Sequence, residues 1–303
     1  MSNNQANKLM AEANELAVAW GGLFTPCEEK RAAARNKFIQ AATLYRADSN
    51  FINAVTAYQR AADMSHEIKD NRSYADDLSC VLNATMKCEN FDSARSIINK
   101  LYVLYLDQNR TSQAARVCQM FGEWKLSIGN LTQDQRKEQE TYLEKAMTLY
   151  RNEGSLSIAS GIHIKILESR ALNGDYLFAA DGFEKIGSQY LDNNLLQGAA
   201  KRYFFLSLLC QIAMLNPENI TEQTLMIRSK FEKIMELDTQ FNKYTQEYIL
   251  ISNLLTAFDN MDIDEYERAQ REYSNICAVD TLKAGMLLLG KNALKKALDI
   301  NSC

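Results

Sequence analysis

The stretch Ala54-Val55-Thr56-Ala57-Tyr58-Gln59-Arg60-Ala61-Ala62 sets a small residue at 54, an aromatic at 58 and a further apolar residue at 61. Steps of four and three place all three on one face of a helix. The same spacing recurs at Ala34/Phe38/Ala41, Ala94/Ile98/Leu101 and Ala114/Cys118/Phe121. A second set follows at Ala159/His163/Ile166, Ala179/Phe183/Ile186 and Ala199/Tyr203/Leu206, with an echo at Ala269/Tyr273/Ile276. Starting positions within each set fall twenty apart, except that 54 to 94 skips one beat. A beat of that length is one helix of about 15 to 17 residues plus a turn, so two beats make a hairpin of roughly forty residues. The small residue lets neighbouring helices approach while the aromatic fills the groove beside it.

Working outward, polar turn formers mark the joints at Asp48-Ser49-Asn50, Asp70-Asn71, Glu89-Asn90, Asn109, Asn173-Gly174-Asp175 and Asp192-Asn193-Asn194. Each supplies a stop followed by a cap. Thr132-x-x-Gln135 has the form of a capping box. The spacing predicts helices near 5–19, 28–46, 50–64, 71–87, 91–106, 110–127, 133–151, 155–171, 175–190, 194–215, 221–237, 241–259, 262–276 and 279–298. With prolines only at Pro26 and Pro217 and 12 glycines, the chain lacks the breakers an all-β or doubly wound fold needs. The expected architecture is all-α: a tetratricopeptide-like solenoid of antiparallel helical hairpins closed by a C-terminal helical bundle. The boundaries are 1–27 for a leading helix and apolar loop, 28–216 for the repeats and 217–303 for the bundle and tail.

The 34 basic and 38 acidic residues give a formal net charge of −4, which offers no global attraction to nucleic acid or anionic lipid. Any basic face must be local. Seven cysteines are scattered with no C-x-x-C, suggesting neither a zinc site nor a disulfide framework and fitting a reducing cytosol. The N-terminus lacks the apolar run of a signal peptide, and no apolar stretch reaches bilayer-spanning length.

The search for chemistry finds little. His163 occupies the aromatic slot of the repeat, and His66 sits near a helix end beside Glu67. Nucleophile-elbow, zinc-protease, phosphate-loop and EF-hand patterns are absent. The acidic pairs Asp76-Asp77 and Glu28-Glu29 are adjacent on helices, so their side chains diverge by about 100° and read as solvated surface. No catalytic residue, metal or cofactor is implied. Aromatics recur at repeat positions without interleaved arginine runs, so they belong to a core and not to a nucleic-acid surface.

Two features stand out. In Ala19-Trp20-Gly21-Gly22-Leu23-Phe24-Thr25-Pro26, three large apolar residues fall in a loop composition. Either the loop staples back onto the helices, or it projects Trp20, Leu23 and Phe24 into a membrane or partner. Lys87, Arg110, Arg116, Lys165 and Lys201 lie near or within successive helices, where stacking would collect them on one surface or leave them as scattered solvated charge. An adaptor, a scaffold subunit of another cytosolic complex and an enzyme built on helical repeats all remain open at this point.

Several weak motifs in order resemble the soluble NSF attachment proteins, most of all the α/β type. They are Leu9-Met10-Ala11-Glu12-Ala13, Gly22-Leu23-Phe24, Ala41-Ala42-x-Leu44 through Ala54-x-x-Ala57-Tyr58-x-x-Ala61-Ala62, and Ala199-Ala200-Lys201-x-Tyr203-Phe204-Phe205. The resemblance runs from about Leu9 to Leu289. It implies a non-enzymatic adaptor that coats assembled SNARE four-helix bundles and recruits the hexameric ATPase NSF, acting in the cytoplasm in peripheral association with membranes. It implies that Trp20, Leu23 and Phe24 form a membrane-associating loop and that Lys87, Arg110, Arg116, Lys165 and Lys201 face the SNARE bundle. Arg116 stands for a family lysine, and two further family lysines fall at Gly161 and Gln197. The family's acidic C-terminal tail is replaced by Lys295-Lys296-Ala297-Leu298-Asp299-Ile300-Asn301-Ser302-Cys303. Leu298 and Asp299 are what remains of it, and Asp259, Asp262, Asp264 and Glu265 are the other residues expected at the ATPase contact.

Overall fold

The computed structural model describes residues 2–18, 27–124 and 132–301. The loop carrying Trp20, Leu23 and Phe24 lies outside them. The described residues form fourteen α-helices and no strand. In chain order these are α1 (Ser2–Val18), α2 (Cys27–Ala47), α3 (Phe51–Glu67), α4 (Asn71–Lys87), α5 (Phe91–Asp107), α6 (Thr111–Glu123), α7 (Gln133–Asn152), α8 (Leu156–Leu172), α9 (Tyr176–Leu191), α10 (Ala200–Ala213), α11 (Ile220–Leu237), α12 (Gln246–Asp259), α13 (Ile263–Ile276) and α14 (Thr281–Asn301). Short 3-10 turns at Gln197–Ala199 and Pro217–Asn219 lead into α10 and α11, so α10 starts later than the spacing predicts. Likewise Asp238 to Thr245 form a capped turn, and α12 begins at Gln246 instead of 241.

The joints explain the twenty-residue beat. Ser49, Lys69, Glu89 and Asn109 all have positive φ, between 56° and 59°, and they are spaced twenty apart. Gly154 and Gly174 repeat the device at φ 77° and 89°, and Met261 does so at 50°. At the first joint Asn50 N donates to Tyr45 O at 2.8 Å and Ser49 N to Arg46 O at 3.1 Å. These two bonds close a Schellman motif that satisfies the last carbonyls of α2. The next residue starts the following helix: Asn50, Asp70 and Asn90 each accept from the backbone N–H three residues on. Thr132 and Gln135 form the expected capping box at α7.

The chain forms two compact units, Met1–His163 and Ile164–Cys303, with the division inside α8. In the first, α1 to α7 pack as successive antiparallel hairpins. The beat positions are the core: Ala34, Phe38, Ala41, Ala54, Tyr58, Ala61, Ala94, Ile98, Leu101, Ala114, Cys118 and Phe121 are all buried. The skipped beat is physically present, because Tyr74, Leu78 and Val81 are buried at the same phase with a tyrosine in the small slot. A buried polar network ties α2, α3 and α4. Arg35 grips Asp77 with Nε and Nη2 at 2.7 and 2.8 Å, and Ser65 Oγ donates to Asp77 at 2.6 Å. Asp77 is therefore core, contrary to its reading as solvated surface.

In the second unit one continuous core joins the end of α8 with α9 to α14, including helices on both sides of Pro217. Close approaches depend on missing side chains. A Cβ at Gly182 would sit 2.2 Å from Leu167 Cδ2, and one at Gly290 2.6 Å from Ile212 Cγ2. Ala269 and Tyr273 are buried, but Ile276 is 67% exposed because α13 ends there. It is not a core position.

A left-handed backbone is unfavourable for a residue with a Cβ by about 1–2 kcal/mol. Lys69→Gly, at an exposed position, should therefore raise the thermal unfolding midpoint by about 2 °C after the entropy gained by the unfolded glycine is offset. Lys69→Val should lower it. A fall on Lys69→Gly would contradict the role assigned to this joint.

Candidate protein-binding surfaces

The cationic positions fall into two groups. In the first unit, α4 and α6 run parallel with α5 behind them. Asp76, Ser79 and Asn83 from α4, Tyr105 from α5, and Gln113, Arg116, Val117 and Met120 from α6 line a cleft of about 280 Å³. Asp76, Ser79, Asn83 and Lys87 are spaced three, four and four apart, which puts Lys87 on the same stripe of α4, one turn beyond the cleft. Lys87 and Arg116 are exposed and make no ion pair within 4 Å among the described residues.

Arg110 differs. As the first residue before α6 its side chain turns back along α4, where Nη2 lies 2.5 Å from Asp76 Oδ1. Nη1 donates to Gln108 Oε1 at 3.2 Å, and the guanidinium sits 4.7 Å over the Tyr105 ring. Its side chain is only 15% exposed, against 49% for Asp76. Sequence spacing gives no sign of this pair, since residues 76 and 110 meet only through the parallel packing of alternate helices.

In the second unit Lys165 is exposed on α8 and acts electrostatically on Glu168, one turn away. Burial pushes the Glu168 carboxyl above its usual range, with Arg202 of α10 pulling it back from 3.7 Å. Lys201, in the first turn of α10, is half-buried between two carboxylates. Its Nζ is 4.0 Å from Glu247, and its charge also acts on Asp238. Asp238 is buried, its Oδ1 accepts from Gln240 N at 2.9 Å and its Oδ2 has no partner. Burial raises its pKa above the ordinary carboxylate value. Gly161 and Gln197 are exposed.

The acidic residues do gather at the α12–α13 turn, and local structure accounts for most of their charge. Asp259 ends α12 and pairs with Arg228. Asp262 caps α13, accepting from Asp264 N and Glu265 N at 2.8 and 3.0 Å. Glu265 accepts from Asn260 Nδ2 at 3.0 Å and lies 3.6 Å from Arg268. Asp264 remains exposed in the first helical turn, where the helix dipole favours it. Lys291 on α14 bonds Glu267 at 2.6 Å, and Tyr266 OH donates to Leu287 O, so this turn is anchored to α14. Leu298 is half-buried against the core of the second unit, while Asp299 is exposed beside Lys295, Lys296 and Pro217.

The two histidines lie apart, on α3 and α8. His66 is exposed with its ring 5.0 Å from Tyr74, and His163 is half-buried at its repeat position. Among the described residues no three His, Cys, Asp or Glu side chains are grouped to hold a metal, and no helix is long and apolar enough to cross a membrane.

Helical hairpins packed in succession define a helical-repeat protein. Comparison with known families gives the particular one. Residues 4–295 match the family described as Soluble NSF attachment protein, SNAP, and the chain belongs to it. A probable vesicular-fusion protein sec17 homolog of Neurospora crassa is 26% identical over 97% of this chain and 95% of its own length. Alpha-soluble NSF attachment proteins of Vitis vinifera and Homo sapiens are 27% and 25% identical, over 97% and 96% of this chain and 96% and 95% of theirs.

The environment of Asp238 gives a signed pH expectation. A raised folded-state pKa means the native state holds the proton more tightly than the unfolded chain, so the charged form weakens the fold above that pKa. Asp238→Asn keeps an acceptor for Gln240 N and should raise the unfolding midpoint at pH 7. The gain should vanish as pH falls through the native carboxyl's pKa. A gain that persists unchanged at pH 4 would reject burial of charge as its cause.

Proposed function

We propose that this chain is a non-enzymatic adaptor that binds assembled SNARE four-helix bundles and recruits an NSF-type ATPase for their disassembly in vesicle fusion and transport. The observation that carries the binding half is the stripe of α4 and α6 on which Lys87 and Arg116 stand exposed without ion pairs among the described residues. Family membership and the names of the relatives, vesicular-fusion and NSF attachment proteins, support this choice of partners. Lys165 and Lys201 are the cationic positions of the second unit assigned to the same partner, and Arg110 pairs with Asp76, a residue of the cleft lining. Such contacts are individually weak, and several adaptor copies on one bundle gain strength by effective concentration.

The ATPase contact is assigned to the α12–α13 turn and the end of α14: Asp259, Asp262, Asp264, Glu265, Leu298 and Asp299. Of these, Asp262, Asp264 and Asp299 are exposed and form no ion pair among the described residues; Asp262 is occupied in capping α13, so Asp264 and Asp299 are the positions from which an ATPase contact draws most. The loop with Trp20, Leu23 and Phe24 is assigned to the membrane surface, which places the adaptor in the cytoplasm at membranes. No nucleic acid, metal or cofactor enters this reading.

Arg116→Glu with Lys165→Glu should abolish recovery of an assembled SNARE bundle in a pull-down, with the unfolding midpoint unchanged. Wild-type recovery should fall as salt rises and shortens the screening length from about 10 Å at 0.1 M to about 3 Å at 1 M. Undiminished recovery by the double variant would sink the proposed role of these two cations.

Flotation with liposomes tests the tether. Leu23→Ser/Phe24→Ser should lose lipid binding without losing stability. A lowered unfolding midpoint with lipid binding retained would show instead a loop stapled to the helices.

A further inference from the structure

The α4/α6 cleft contains one acid, Asp76, and one exposed cation, Arg116, with the amides of Asn83 and Gln113 and the hydroxyl of Ser79 between them. An acid at that place opposes any partner carboxylate drawn to Arg116. Arg110 cancels it. The guanidinium reaches Asp76 at 2.5 Å, its Nη1 donates to Gln108 Oε1 and lies 3.5 Å from Arg72 O, and it sits over the Tyr105 ring, while Nε is buried without a partner among the described residues. A side chain held at so many points and only 15% exposed has little left to offer a partner.

We infer that Arg110 is a positioning residue that acts through Asp76: by neutralising Asp76 it leaves Arg116 as the net charge of the cleft, which then accepts a carboxylate side chain of the bound protein. The inference rests on the SNARE-binding reading and departs from the direct partner contact that the family resemblance implies for Arg110. The chemistry is specific. A carboxylate entering the cleft meets the Arg116 guanidinium, the Gln113 amide lies within the same lining, and Lys87 stands one helical turn further along the stripe. Charge-assisted bonds of this kind are shorter and stronger than neutral ones.

The two roles for Arg110 predict opposite results in a double variant. Affinities for a purified, assembled soluble SNARE bundle are measured for the full chain and for Arg110→Gln, Asp76→Asn and Arg110→Gln/Asp76→Asn, each with its unfolding midpoint. Removing Arg110 alone exposes the Asp76 charge to the cleft and should weaken binding about threefold, the scale of a partly solvated ion pair. Removing both charges should restore wild-type affinity, and Asp76→Asn alone should match or exceed it, because the released guanidinium adds a cation.

Failure of the wild type to bind would overturn the SNARE-binding reading itself. If the wild type binds but the double variant stays as weak as Arg110→Gln, Arg110 touches the partner directly and only this inference falls. If Arg110→Gln proves too unstable to measure, Asp76→Asn decides: weaker binding than wild type overturns the inference, and equal or tighter binding supports it.

Discussion

The joint between helices is the constraint on which the rest depends. A residue in the left-handed region ends one helix, its successor takes the first position before the next, with Asn50, Asp70 and Asn90 capping by side chain, and the reversal is complete within a few residues. Because Ser49, Lys69, Glu89 and Asn109 repeat this at equal intervals, α3, α4 and α5 have the same length and present the same phase. Equal phase makes every second helix parallel and similarly exposed. The α4/α6 cleft is a product of that alternation, and so is the meeting of residues as far apart in sequence as Asp76 and Arg110.

Within that frame the packing is short-range. Alanines at the beat positions let hairpins close, and glycine does so where even a methyl is too large, as at Gly182 against Leu167. The Arg35–Asp77–Ser65 network adds polar registration to an otherwise apolar contact among α2, α3 and α4. Removing one partner of such a buried pair leaves an uncompensated charge, typically costing about 3–5 kcal/mol, so it fixes which helices meet more than it raises overall stability.

Much of this was legible in the sequence. Helix type and number follow from the repeating small/aromatic spacing, and the stops follow from their turn residues. What escaped had physical reasons. Tyr74 hid a beat because a large residue there replaces alanine without changing the phase. The starts of α10 and α12 shifted because Gln197–Ala199 and Asp238 to Thr245 make local turns whose residues also suit a helix. Asp77 looked solvated because nothing in one-dimensional spacing shows that Arg35 faces it. The same limit applied to the binding surface. Spacing could nominate Lys87 and Arg116, yet only packing distinguishes them from Arg110, whose charge is answered internally. Lys201 is similarly flanked by Glu247 and Asp238.

The repeating joint also gives the chain a parity. Adding a single residue inside a helix rotates everything beyond it by about 100° and breaks the match between stop and cap. Adding one whole helix with its joint keeps the caps but exchanges the roles of alternate helices, so positions that lined a cleft would form its floor. Only helices added or lost in pairs preserve both the caps and the identity of the charged face. Length variation in this architecture is therefore restricted to even steps, with odd changes confined to segments such as Asp192 to Ala199 and Asp238 to Thr245, where the regular joint is already replaced.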